Sequence, residues 1–257
     1  MSHAVRVLGL DIGSRTVDAV WLEGTGAHNA RVVESVVLDS GPEPHKTAAR
    51  LAARGDHDLL VATGYGRRAA HDVLGAVAIT EIKAFALGAA DLHPDVLAIL
   101  DMGGQDTKAI TLSAPGVVDD FEMNDRCAAG TGRFLEVMAA ALGMTMDEFG
   151  QAALRAQRGL PISSMCTVFA ESEVVGLLHR GEDRAGIARG LHEAIAKRAV
   201  GMLKRAGAQP PLLFAGGVAR DPAMAALIAA AFGGRIVVAD HPQLVGATGA
   251  ALHGLQP

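Results

Sequence analysis

Two short runs repeat the same chemistry 90 residues apart: Leu10-Asp11-Ile12-Gly13-Ser14 and Leu100-Asp101-Met102-Gly103-Gly104. Each joins one β-branched or Leu-rich stretch to the next, so each reads as a strand ending in a tight hairpin. Glycine at such a turn lets backbone N–H groups approach phosphate oxygens closely. The aspartate repels phosphate but can hold Mg²⁺, usually through water, and the metal then bridges to the phosphates. Ala215-Gly216-Gly217, after a further strand, suits the adenosine part of a nucleotide. One Asp-x-Gly is common strand-to-turn punctuation. Two at the starts of repeated strand triplets, with Gly216 and Gly217, favour a phosphate site.

The chain has only two cysteines, Cys127 and Cys166. Asn124 to Gly132 reads as a loop delivering Cys127 close to a helix start near Thr131. Cys166 ends Ile162-Ser163-Ser164-Met165-Cys166 and stands just before a helix. Helix N-termini favour anions, so a thiolate or a negatively charged cluster is stabilised there. Two thiolates are too few for a closed zinc or iron–sulfur site, but a twofold dimer supplies four. The same residues also fit two buried, inert cysteines. A catalytic thiol is the third reading, and neither cysteine has a sequence-local histidine partner.

A chain of 257 residues, 50% apolar and 20% charged, can bury a core in one large or two small domains. The net charge of −5 and the lack of a basic run argue against nucleic-acid binding. No apolar run reaches the ~18 residues of a membrane span. The start runs directly into a strand pattern rather than a signal peptide, so a cytoplasmic location without a structural disulfide is expected.

Val5 to Ile12, Thr16 to Leu22 and Arg31 to Leu38 are expected to form an antiparallel meander. Pro44 to Arg54 follows as a helix, Leu59 to Thr63 as a buried strand, and Ile82 to Leu92 as a helix. Gly64-Tyr65-Gly66-Arg67 reads as a turn. The meander then repeats from Leu100 through Val117–Glu122, which predicts two similar α/β domains facing each other. Helices are expected over 131–142, 146–154, 169–178 and 186–206. Leu212–Ala215 and Ile236–Ala239 are expected as strands, with helices at Met224–Phe232 and Gln243–His253. The domains are placed at 1–93 and 94–242, with the final helix, 243–257, packing back on the first.

The hairpins resemble those of the actin, sugar-kinase and Hsp70 superfamily, whose two α/β domains close over ATP. The resemblance makes Asp11 to Thr16, with Gly13, Ser14 and Thr16, the first phosphate loop. Asp101 to Asp106, with Gly103, Gly104 and Gln105, becomes the second, and Ala215 to Val218 the adenosine loop. Gln105 and Asp106 are then candidates to orient the attacking water, beside Asp11 and Asp101 as Mg²⁺ ligands.

Asp101–Asp106, Met123–Leu135 (with Gly130 and Gly132) and Cys166–Glu173 resemble a narrower group across essentially the whole chain. This is the activator component of 2-hydroxyacyl-CoA dehydratases, in the BadF/BadG/BcrA/BcrD ATPase family. The resemblance implies a homodimer with one [4Fe–4S] cluster at its interface, ligated by Cys127 and Cys166 of each subunit. It implies that ATP hydrolysis to ADP drives one low-potential electron into a partner dehydratase or related iron–sulfur reductase. Reduced ferredoxin or flavodoxin would be the donor.

Relatives often carry Cys and His where this chain has Ala84 and Phe85, positions expected to bear on partner docking or domain closure. Gln243 is a nucleotide contact by resemblance only. Glu171 and Glu173 read as solvated helix charges, and the histidines, His192 included, as surface residues. Two other classes fit the superfold: a small-molecule kinase without a cluster, and an ATP-dependent regulatory module with buried cysteines.

Overall fold

A computed structural model describes residues 3–163 and 166–256. Ser164 and Met165 of the second cysteine segment therefore lie outside the described residues, as do Met1, Ser2 and Pro257. The first sheet is built on the expected meander. Strands β1 (Val5–Ile12), β2 (Thr16–Gly24) and β3 (Arg31–Asp39) pair antiparallel, and β1 pairs in parallel with β4 (Leu59–Gly64). A two-residue strand, β5 (Val77–Ala78), completes the order β3-β2-β1-β4-β5.

The second sheet contains β6 (Ala98–Met102), β7 (Thr107–Ala114), β8 (Val117–Asn124), β9 (Leu212–Ala215) and β10 (Ile236–Val238). Its order, β10-β9-β6-β7-β8, matches the first sheet strand for strand when each strand is set against the one five places earlier. The repeat legible in three strands thus runs through five. The chain divides into two compact units, one of Met1–Ile99, Leu112–Asp119 and Ala239–Pro257, the other of Leu100–Thr111 and Asp120–Val238.

In the first unit, alternate residues of the sheet feed two cores, as the period of two in a strand requires. Leu8, Leu10, Val17 and Trp21 pack with Ala48 and Leu51 of α1 (Pro44–Ala52) and Ala70 of α2 (Arg67–Leu74). Val7, Val20 and Val61 pack instead with Ala84 of α3 (Glu81–Leu92) and with Ala247, Ala250 and Ala251 of the last helix, α9 (Val245–Gly254).

Helix α9 is made of small residues because backbone meets backbone around it. A Cβ at Gly9 would lie 2.1 Å from Ala247 O, and one at Gly249 would lie 1.7 Å from Ala84 O. Gly249→Ala must therefore push α3 and α9 apart. It is expected to cost about 3 kcal/mol, the upper end of the overpacking range, read as a lowered thermal midpoint.

The expected turn is present at Tyr65 and Gly66 and leads into an unanticipated helix, α2, whose single buried residue, Ala70, leaves no apolar stripe to read. Two expectations are corrected here. Gln243 lies in a turn, and α9 begins two residues later at Val245. Ala84 and Phe85 are 0% and 3% exposed, packed inside the first unit rather than offered to a partner.

The second unit adds α4 (Gly132–Ala141), α5 (Met146–Arg155), α6 (Thr167–His179), α7 (Arg184–Arg205) and α8 (Pro222–Phe232). Helix α7 is its central rod, burying Ile187, Leu191, Ile195, Ala199 and Leu203 at helical spacing. His192 lies on that buried side, fully enclosed, which corrects its expected surface position. Its Nδ1 stands 2.7 Å from Ala188 O and its Nε2 2.9 Å from Asp221 Oδ2. The ring therefore bridges its own helix at Ala188 and the start of α8 at Asp221. Asp221 also caps α8 by accepting from the N–H groups of Ala223 and Met224.

Candidate functional site

The two hairpins are closed by the same hydrogen bond. Gly13 N–H donates to Thr16 O at 2.9 Å, and Gly103 N–H donates to Asp106 O at 3.0 Å. Each aspartate sits at the end of the central strand of its sheet, nearly buried, with Asp11 9% and Asp101 3% exposed. A glycine at the end of the neighbouring strand closes over each. Gly64 has φ +84°, and a Cβ there would lie 2.5 Å from Asp11 Oδ1. Gly216 has φ +83°, and a Cβ there would lie 2.4 Å from Asp101 Oδ1. Only glycine adopts that backbone freely and leaves room for the carboxylate. Gly216 was legible from its Ala-Gly-Gly string. Gly64, its counterpart, was not, because only the parallel β1–β4 pairing brings it to Asp11.

The hairpins differ in charge. Asp11 faces Asp18 across the β1–β2 ladder, and Thr16 Oγ1 donates to Asp18 Oδ2 at 3.1 Å. In the second hairpin the matching position holds Lys108, 2% exposed. Its Nζ lies 3.1 Å from Asp101 Oδ2 and 2.7 Å from Asp106 Oδ2. Asp101 and Asp106 are thus held by a buried ammonium, while Gln105 between them is exposed. Sequence reasoning missed Lys108; its signal was an alternation that turns a lysine inward beside Asp101.

Hydrogen bonds tie the second hairpin to the Cys127 segment. The first two amides of α4 donate back to it: Gly132 N–H to Gly103 O at 2.9 Å and Arg133 N–H to Gly104 O at 2.8 Å. Thr107 Oγ1, on the strand leaving the hairpin, donates to Gly130 O at 2.7 Å. Asn124 Nδ2 donates to Cys127 O and Ala129 O at 2.9 and 3.0 Å. Gly130 has φ +94°, with the Arg198 stem against it.

Both thiols are free and exposed. Cys166 is the N-cap residue of α6, its carbonyl accepting from Ala170 N–H at 2.8 Å. Glu173 reaches back to accept from Ser163 N–H at 2.9 Å, so it is tied to the backbone rather than standing free in solvent. The exposed thiols do not fit the reading of buried, inert cysteines. They are soft donors, Cys166 at the start of α6 and Cys127 in the loop leading to α4, and are the donor type that an iron–sulfur cluster takes.

The repeated five-stranded units with Asp-x-Gly hairpins define an actin-like ATPase fold. A ROK family glucokinase from Streptomyces griseus shares the fold alone, with TM-score 0.59 and 12% identity over 96% of this chain and 98% of that one. The family resemblance is much stronger. Residues 8–254 match the BadF/BadG/BcrA/BcrD ATPase family, and the chain belongs to it. It is 42% identical to the activator of lactoyl-CoA dehydratase from Anaerotignum propionicum, over 97% of each chain. The activator of the 2-hydroxyisocaproyl-CoA dehydratase from Clostridium difficile, solved with bound ADPNP, superimposes with TM-score 0.87 at 37% identity, covering 97% of this chain and 94% of that one.

Proposed function

We propose that this chain is the ATP-hydrolysing activator of a 2-hydroxyacyl-CoA dehydratase, delivering one low-potential electron to it from reduced ferredoxin or flavodoxin. The observation that carries this reading is the set of hydrogen bonds joining Gly103, Gly104 and Thr107 to Gly132, Arg133 and Gly130. A phosphate-sensing turn is bolted to the segment that presents Cys127.

Asp11 and Asp101 hold Mg²⁺, while the backbone at Gly13, Ser14, Thr16, Gly103 and Gly104 receives the phosphates. Because Lys108 already answers the charge of Asp101, Asp11 is the stronger metal ligand. Gln105 orients the attacking water, Gly216 and Gly217 admit the adenosine, and Gln243 contacts the nucleotide. Cys127 and Cys166 from two copies would hold a [4Fe–4S] cluster, which supplies one-electron chemistry when bound. Losing the γ-phosphate alters the carbonyl positions of Gly103 and Gly104. The α4 amides follow, and the Cys127 segment with them. This is the two-state element that coupling between distant sites requires.

Mixed anaerobically with a dehydratase and reduced donor, the protein should start dehydration only when MgATP is present. Thr107→Val removes the link to Gly130 without touching phosphate. It should keep ATPase activity but lower dehydratase activation per ATP hydrolysed. Equal activation with ADP or without nucleotide would contradict the reading.

A further inference from the structure

A cavity of about 620 Å³ lies in the second unit between the end of β8 and the C-terminal half of α7. Its polar wall is basic. Lys197, Arg198 and Arg205 all line it, against the single carboxylate of Glu122. That carboxylate is already engaged, 3.4 Å from Arg205 Nε. Lys197 and Arg198 make no ion pair with any described residue. The cavity therefore presents two exposed basic side chains with no carboxylate partner among the described residues, in a chain whose net charge is −5. The rest of its wall is Asn124 and Gly201 with the apolar side chains of Met123, Met202, Ile162 and Ala194. Gly201 stands between Lys197 and Arg205 on one helical face, leaving open the space that a side chain would fill. The size is that of a small-molecule site, and the lining asks for an anionic head with an apolar body.

We propose that this cavity binds a small organic phosphate, its phosphate against Lys197 and Arg198 and its apolar part on Met202 and Ile162. The site is separate from the phosphate hairpins, none of whose residues line it. Two of its residues hold the Cys127 segment. Asn124 donates to the carbonyls of Cys127 and Ala129, and the Arg198 stem packs on Gly130. Drawing the Arg198 guanidinium onto a phosphate therefore loads the Cys127 loop directly, giving the occupant leverage on the redox segment. That consequence rests on the proposed function; the binding itself does not.

The test is isothermal titration of the full-length protein with phenyl phosphate and, separately, inorganic phosphate, both with MgADP saturating. One phenyl phosphate should bind per chain, tighter than inorganic phosphate and weakening as salt rises. The double variant K197E/R198E should bind about tenfold or more weakly, and Lys197→Glu alone, which leaves the Arg198 stem on Gly130, should weaken binding at an unchanged thermal midpoint. In iron-free Cys166→Ser protein, phenyl phosphate should change the alkylation rate of Cys127. No saturable binding, binding that the double variant retains, or binding that appears only without MgADP would overturn the site. An unchanged alkylation rate despite binding would overturn the link to Cys127. Binding is read whether or not the protein holds iron or activates a dehydratase, so its failure is distinct from failure of the proposed function.

Discussion

Cys127→Ser and Cys166→Ser should each reduce ATP-dependent activation of the dehydratase to background while leaving ATP hydrolysis measurable. A serine hydroxyl is a hard, neutral donor and a poor substitute for thiolate at iron. In a twofold dimer one substitution removes two ligands at once, because a symmetric interface presents every residue twice. Both side chains are exposed and neither makes a capping hydrogen bond, so the fold should not suffer and the thermal midpoint should hold. Hydrolysis should survive because the first phosphate loop belongs to the other compact unit, and the hydrogen bonds of the second run through Gly103, Gly104 and Thr107 rather than through either thiol. The paired readings are visible absorbance of anaerobic protein and turnover of added dehydratase. A serine variant with full absorbance and full activation would remove the cysteines from the mechanism.

Asp11→Asn should lower the ATPase kcat by about a hundredfold, the scale of losing one preorganised electrostatic contact at a phosphoryl-transfer site. The substitution is nearly isosteric, which matters because Gly64 and Gly246 pack directly on the carboxylate. A Cβ at Gly246 would lie 2.2 Å from Asp11 Oδ2. The carboxylate proposed to hold Mg²⁺ is therefore replaced without a steric change. Asp101→Asn should also slow hydrolysis but should additionally destabilise, since it leaves Lys108 with a weaker partner in a buried setting. Lys108→Met should destabilise more, by about 3–5 kcal/mol, because it strands two acidic groups. Steady-state ATPase assays and thermal melts separate these effects. Normal turnover in Asp11→Asn would contradict its assignment to the metal.

Much of the fold was legible because its signals are local. Strand alternation, the two Asp-x-Gly strings and the helical period of α7 each lie within a dozen residues or so. Helix α2 escaped because it buries only Ala70, and β5 because two residues carry no period. The cysteine segments announced themselves by composition, and both thiols proved exposed, Cys166 at a helix start and Cys127 in the loop before one. What stayed hidden depends on register between strands far apart in sequence. Gly64 meets Asp11 only through the β1–β4 pairing, and His192 reads as a helical surface residue until Asp221 is placed against it. The Gly103–Gly132 and Thr107–Gly130 hydrogen bonds, which carry the functional reading, leave no trace in residue type beyond ordinary glycine and threonine.

The most direct test is an iron and acid-labile sulfide assay on anaerobically purified wild-type protein, with its mass measured in solution. The account predicts a dimer holding about four irons and four sulfides per two chains, lost on exposure to air and absent from Cys127→Ser. An iron-free protein that still activates a dehydratase with ATP, or a full cluster on a monomer, would contradict it.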